Sequence, residues 1–366
     1  MNRYLHTLIY LALLCLVGCA SQPRVGAPPR SDSRAQTSAP TKASISPTLQ
    51  RLVDEAALLE PLAQSELTRR FLAAASALPP VASRTAYINE MTREYFSLAA
   101  RESLPDARRT ALSPLQLDEF RYYYTKYGSP LAYVRALDFA VDKNFQDVAG
   151  KRVLDFGYGS IGHVRLLASL GAHVTAVDPD NYLAALYSEQ NDQGTVPLAE
   201  AGASRRGRGS ITLAHGYWPK DPKIVAQVGR GYDLILSKNT LKRGYIKPDR
   251  KVDDKRQLVD LGVSDQVFLT AIFNVLAPGG KLVIYNLYPK PSGPKEKYRP
   301  MADGRSPFSR EQYEKAGLKV VTFEMDDHVN ARKMGRLLGW DKNQTGETVD
   351  DLEKNLFALV TIVARP

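Results

Sequence analysis

The pattern of apolar and polar positions changes period several times between residues 151 and 180, KRVLDFGYGSIGHVRLLASLGAHVTAVDPD. Val153 and Leu154 form a short apolar run that stops at a turn carrying Gly157, Gly159 and Gly162. Leu166, Leu167 and Leu170 then fall on one face of a helix, Gly171 closes it, and Val174 and Val177 open a second strand ending on Asp178. This predicts a βαβ unit with a glycine turn after the first strand and a carboxylate at the end of the second. The alternation continues. Asp180 caps a helix through Leu183, Leu186 and Tyr187; Ile211–His215 reads as a strand; and Tyr232–Ser237 is apolar throughout, as expected in a sheet covered on both faces. Ser264 caps an amphipathic helix with Phe268, Ala271, Ile272, Val275 and Leu276, which stops at Ala277-Pro278-Gly279-Gly280. Lys281–Leu287, Lys319–Glu324 and Phe357–Val363 supply three more strands, and Ser309 with Gln312 caps a short helix. Residues 194–209, 238–256 and 288–307 read as loops. The pattern predicts an α/β, Rossmann-like, doubly wound seven-stranded sheet over residues 149–366, closing with an antiparallel strand pair.

Residues 47–148 show helical periodicity. Leu52, Val53, Ala56 and Leu59 form one stripe, Leu67, Phe71, Ala74 and Leu78 a second, and Tyr87, Met91, Tyr95 and Leu98 a third. Ser113-Pro114 with Gln116, and Ser129-Pro130, read as helix starts. The expectation is an all-helical segment packed against the later domain. Within it, Phe120, Tyr124 and Tyr127 recur at helical spacing and are expected to pack inward, with stacking on a flat ligand as the alternative.

At the N-terminus, Arg3 precedes an apolar segment, Tyr4 to Val17, too short for a comfortable membrane span, followed by Leu16-Val17-Gly18-Cys19. This resembles the lipobox of bacterial lipoprotein signal peptides. The resemblance implies a signal peptide over 1–18, a lipidated Cys19, and a tether over 19–46 rich in Ser, Pro, Ala and Arg. The two cysteines are Cys15 and Cys19, so no disulfide or thiolate metal site can form beyond residue 19. Ala20 after the cysteine implies, by the same resemblance, an outer-membrane address facing the periplasm. The net charge of +10 over 366 residues suits an anionic partner such as membrane lipid, but no nucleic-acid motif accompanies the basic residues and none is expected to bind.

Two readings fit the glycine turn. Gly157, Gly159 and Gly162 spell G-x-G-x-x-G, the dinucleotide fingerprint, with Asp178 at a ribose-binding distance in sequence. The chain from about Gly150 also resembles the class I S-adenosylmethionine-dependent methyltransferase family. Asp155 precedes the glycines, giving Asp-Phe-Gly-Tyr-Gly; Lys238-Asn239-Thr240 follows the fourth strand; and Leu276-Ala277-Pro278-Gly279-Gly280-Lys281-Leu282 leads into the fifth. A pyrophosphate has no use for a carboxylate at 155, whereas a cationic methionine end does. The resemblance implies S-adenosylmethionine as cofactor, with Asp155 near its amino group, Gly157, Tyr158, Gly159 and Gly162 beneath it, and Asp178 with Pro179 at the ribose. Ile161 stands where the family often has its third glycine. Gly216-Tyr217-Trp218 stands where it often has an acid for the adenine, so Tyr217 or Trp218 either stacks there or is core. The fourth strand lacks the Asn/Asp-Pro-Pro-Tyr/Phe signature of amino-methyltransferases.

Methyl transfer needs alignment, and a base only where the acceptor carries a proton. Lys238, Asn239 and Tyr245 are the catalytic candidates, with His215 beside them; Asp303 and Arg305 either hold a charged substrate or pair with each other, and His163 reads as a cofactor neighbour. An exported protein would not obviously meet a cofactor made in the cytoplasm. Three functions therefore stand: methyl transfer to an unidentified small-molecule or envelope acceptor, a catalytically silent methyltransferase-like envelope scaffold, and an NAD(P)-dependent oxidoreductase.

Overall fold

A computed structural model describes residues 45–199 and 208–366. Cys15, Cys19, the expected signal peptide, most of the expected tether, and Arg205 and Arg206 lie outside the described residues.

Eleven strands are named in chain order: β1 Arg84–Asn89, β2 Glu94–Phe96, β3 Ser113–Leu117, β4 Arg152–Phe156, β5 His173–Asp178, β6 Gly194–Val196, β7 Gly209–His215, β8 Tyr232–Lys238, β9 Leu276–Tyr288, β10 Lys319–Asp326 and β11 Phe357–Ala364. The last eight form one sheet in the order β10-β11-β9-β8-β4-β5-β7-β6. β9, β8, β4, β5 and β7 are mutually parallel, and β11 runs antiparallel between β9 and β10. This is the expected doubly wound α/β sheet with its closing pair. The eighth strand, β6, falls where the sequence reads as loop: three residues, Gly194–Val196, pair antiparallel with the start of β7, too short to leave a period-2 signature. From β4 the chain steps to β5 on one side and later to β8 on the other, so the crevice at the C-terminal ends of β4 and β8 is the topological switch point.

The capping chemistry read from the sequence is present. Asp180, Ser264 and Ser309 accept backbone N–H groups at the starts of helices Asn181–Leu186, Asp265–Val275 and Arg310–Lys315, and Gln312 completes the capping box. Ser46 does the same for the first helix, Pro47–Leu59.

The 47–148 segment is not all-helical. Helices Pro47–Leu59 and Glu66–Ala73 follow the first two stripes, but the third is a β-hairpin: β1 and β2 pair antiparallel, and with β3 they make a three-stranded sheet. Asn89 closes the hairpin by accepting from the N–H groups of Met91 and Thr92, which leaves Met91 at the tip, 95% exposed. A four-residue spacing is shared by a helix face and by the two arms and tip of a tight hairpin, so Tyr87, Met91 and Tyr95 satisfied the wrong template. Ser113-Pro114 starts strand β3 rather than a helix. Pro114 sits opposite Tyr87 on an edge strand, where its missing N–H breaks no ladder. Ser129 does cap, accepting from the N–H of Leu131 at the start of a 3₁₀ turn, Pro130–Tyr133, that runs into helix Val134–Ala140. In the aromatic run, Tyr122, Tyr123 and Tyr124 are buried, whereas Tyr127 is 51% exposed and does not pack inward as its spacing suggested.

The large sheet is covered on both faces. On one, the N-terminal segment and the α/β unit share a single core, in which Leu52, Phe71, Leu131 and Leu137 join Val153, Leu166, Val283 and Tyr285. On the other, Phe156, Trp218, Phe268 and Phe308 pack together. Arg135, 2% exposed, fastens the first layer. Its guanidinium donates twice to Asp327, at 3.0 Å each, and once to Asp138 at 2.8 Å, while the Tyr285 hydroxyl donates to Asp327 at 3.0 Å.

Candidate active site at the strand ends

The turn after β4 requires glycine. Gly157 and Gly159 have φ of +77° and +63°, where a β-carbon is strained. A β-carbon on Gly157 would lie 2.2 Å from Thr240 Oγ1, and one on Gly159 would lie 2.9 Å from the Tyr127 ring. Thr240 and Tyr127 therefore cover the turn. Their seats are hydrogen-bonded: Thr240 donates to the Gly157 carbonyl at 3.2 Å, Thr125 to the Gly159 carbonyl at 2.9 Å, and both Lys126 and the Tyr127 hydroxyl to Asp180 at 2.6 and 3.2 Å. Gly162 serves a different contact. A β-carbon there would come within 2.7 Å of Pro130, so this glycine admits the N-terminal segment against helix Gly162–Ser169.

Beneath the turn lies a buried polar cluster. Asp155 and His163 are both fully buried; Asp155 Oδ2 and His163 Nε2 are hydrogen-bonded, the Tyr133 hydroxyl is a further hydrogen-bond neighbour of the Asp155 carboxylate, and His163 Nδ1 has no partner among the described residues. The Tyr133 ring stacks on His163 with centroids 3.6 Å apart, and Lys238 Nζ stands 5.2 Å from the Tyr133 ring centroid. Burial, partly opposed by the Asp155 charge, holds His163 below its ordinary pKa and so favours neutral imidazole. Burial also brings Lys238 down to about 8, against the opposing pull of Asp155. Lys242, 3% exposed and donating to the Leu287 carbonyl, is brought down to about 7 by burial and by the Lys238 charge.

Asp178 ends β5 beside this cluster. It accepts the N–H of Asp180 at 2.9 Å, and its burial pushes its pKa up to about 6 against the pull of the Asp180 and Gly159 backbone N–H groups. Tyr158 is buried, its ring 6.4 Å from that of His215; among the described residues the Tyr158 hydroxyl and both His215 ring nitrogens have no hydrogen-bond partner.

The other predicted residues separate. Pro179 is exposed. Trp218 is core at 3% exposure and Tyr217 is 47% exposed. Asn239 has φ of +66° and spends its side-chain oxygen on the N–H of Leu287 at 2.7 Å, tying β8 to β9. Tyr245 is partly buried with the Lys242 ammonium 5.2 Å from its ring centroid. Arg305 pairs with Asp303 and with Asp249. Sequence reasoning missed Tyr133, Thr240 and Lys242 as members of this site. Thr240 and Lys242 lie just past β8 and could have been found by extending the strand-end rule by one turn; nothing near Tyr133 in the sequence marks it.

No protein-family model and no curated protein matches the chain. Among solved structures it is similar to an S-adenosylmethionine-dependent methyltransferase from Mesorhizobium loti, with 15% identity, 64% of this chain and 98% of that one covered, and a TM-score of 0.34. It is also similar to an N-methyltransferase of Haemonchus contortus solved with phosphomonomethylethanolamine and S-adenosylhomocysteine, with 15% identity, coverage of 70% and 62%, and a TM-score of 0.35. A third similar structure is the cyclase SpnF, with 15% identity, coverage of 88% and 98%, and a TM-score of 0.37.

Proposed function

We propose that the chain binds S-adenosylmethionine at the β4–β8 switch point and transfers its methyl group to a small-molecule or envelope acceptor. The observation that carries this reading is the pair of buried strand-end carboxylates, Asp155 and Asp178, flanking a glycine turn. Two buried carboxylates at one turn are costly without a cation, and a cationic amino group at Asp155 would offset that cost. The Tyr158 hydroxyl and the His215 nitrogens, without partners among the described residues, offer further polar contacts nearby. When bound, the cofactor supplies an activated methyl group on a sulfonium. The chain's own residues would hold it through Asp155 and Asp178, exclude water with Tyr127 and Thr240, and take a proton from the acceptor on Lys238 Nζ. A dinucleotide is the weaker fit, because Gly162 is committed to Pro130 and the carboxylate at 155 would face a pyrophosphate.

Calorimetry on the full chain tests this. S-adenosylmethionine or its homocysteine product should bind, and Asp155→Ala and Asp178→Ala should each weaken binding at least about tenfold. Binding of NADH in their place would overturn the proposal. A second reading, a catalytically silent binding protein, is favoured by the cover that Thr240 and Tyr127 place over the turn. It predicts binding to none of the three. The anchor remains part of the proposal on the strength of the Leu16-Val17-Gly18-Cys19 motif. Cys19→Ala should release the protein from membranes.

A further inference from the structure

Outside the strand-end site, helix His328–Leu337 and the short helix Leu352–Asn355 frame an open pocket of about 430 Å³ lined by Arg336, Asp341, Thr348, Val349, Leu352 and the neighbouring Asp350 and Asp351. Asp341 is only 9% exposed, and its Oδ1 has no partner among the described residues. The backbone around it is built: its carbonyl accepts the N–H groups of Val349 and Asp350 at 2.8 and 3.2 Å. Of the neighbouring cations, Arg332 and Arg336 are engaged by Glu353 at 2.9 and 2.8 Å and Lys354 by Asp351 at 2.8 Å, and Lys342, next to Asp341 in sequence, is exposed. Asp350 accepts from the Asn355 amide at 2.6 Å. A carboxylate buried to this degree is costly without a positive partner, and among the described residues its Oδ1 has none.

We propose that this cavity binds a small organic cation, a primary ammonium seated on Asp341 with its alkyl chain against Val349 and Leu352. The pocket is open to solvent, with Val349 half exposed at its edge, so it is a shallow seat for a small organic group rather than an enclosed ion cage. Among the described residues no three acidic, imidazole or thiolate groups converge on a metal position, whereas a hard divalent cation takes about six to eight oxygens. A primary ammonium needs one carboxylate, one or two neutral acceptors such as the Thr348 hydroxyl, and an apolar wall; the lining offers these, while its other charged groups, Asp350, Asp351 and Arg336, are already bonded to Asn355, Lys354 and Glu353.

The test is calorimetry and thermal unfolding of the full chain with n-butylammonium chloride, and separately with calcium chloride. Saturable binding of n-butylammonium is expected, weakened at least about tenfold in Asp341→Asn, where the shape is kept and the charge removed. Thr348→Lys, which places an ammonium of the chain's own in the cavity, should raise the unfolding temperature without ligand and abolish binding; it carries the test should Asp341→Asn not fold. Absence of saturable n-butylammonium binding, equal binding by Asp341→Asn, or calcium binding that alone depends on Asp341 would each overturn the assignment.

Discussion

Lys238 and Asp178 are ordinary side chains whose chemistry is set by where the strands end. Lys238 at about 8 is neutral in a useful fraction at mild alkaline pH, so a rate that depends on it should rise with pH through about 8. Lys238→Met should lower kcat by roughly 10²- to 10⁴-fold and remove that limb, while cofactor affinity changes only a few-fold. Stopped assays across pH 6.5–9.5 on both proteins check it; an unchanged pH profile in the variant would show that another group takes the proton. Asp178 acts on stability. Its carboxyl titrates at about 6 in the folded chain against 3.8 when free, so between about pH 4 and 6 the folded state holds more protons than the unfolded one. Stability must then fall as pH rises through that window. Asp178→Asn should flatten this part of the curve, measured by urea unfolding at pH 4, 5, 6 and 7. The residue types at 155, 178 and 238 were legible before any fold was known. The lowered pKa of Lys238 was not, because it arises from burial beside Tyr133, a residue about a hundred positions away.

At the scale of elements, the glycine turn and its cover behave as one unit. Gly157→Ala adds a β-carbon at φ +77° against the Thr240 side chain and should cost about 1–3 kcal/mol. Thr240→Ala in the same chain should return part of that cost, because it removes the clash and leaves the backbone strain; a double-mutant cycle by chemical denaturation gives the coupling. Strands with period-2 or fully apolar runs, β4, β5, β7, β8, β9 and β11, were legible, as were the helix caps at Asp180, Ser264 and Ser309, because both signals are local. β1 and β2 were not. Tyr87, Met91 and Tyr95 suit a helix face in isolation, and the choice of hairpin is made by Asn89 closing the turn and by β3 arriving along the open side of β1.

At the largest scale, the N-terminal segment and the sheet share one hydrophobic core. Arg135 is buried between two carboxylates, and Arg135→Met would strand Asp138 and Asp327 without their cation. The expected loss is about 3–5 kcal/mol in urea unfolding. A fragment beginning at Gly150 would expose the face of the sheet that Leu52, Phe71, Leu131 and Leu137 cover. It should be insoluble, or bind hydrophobic dyes where the full chain does not. By itself the sequence determined the alternation of strand and helix, the glycine turn and the carboxylates that flank it, since each rests on periodicity or on a residue's own backbone and charge. Tertiary structure alone decided that Tyr127 and Thr240 lie over that turn, that Asp155 faces His163 and Tyr133, and that Asp341 Oδ1 is buried with no partner among the described residues. Those outcomes depend on which distant side chains share a low-dielectric space, and no spacing along the chain records that.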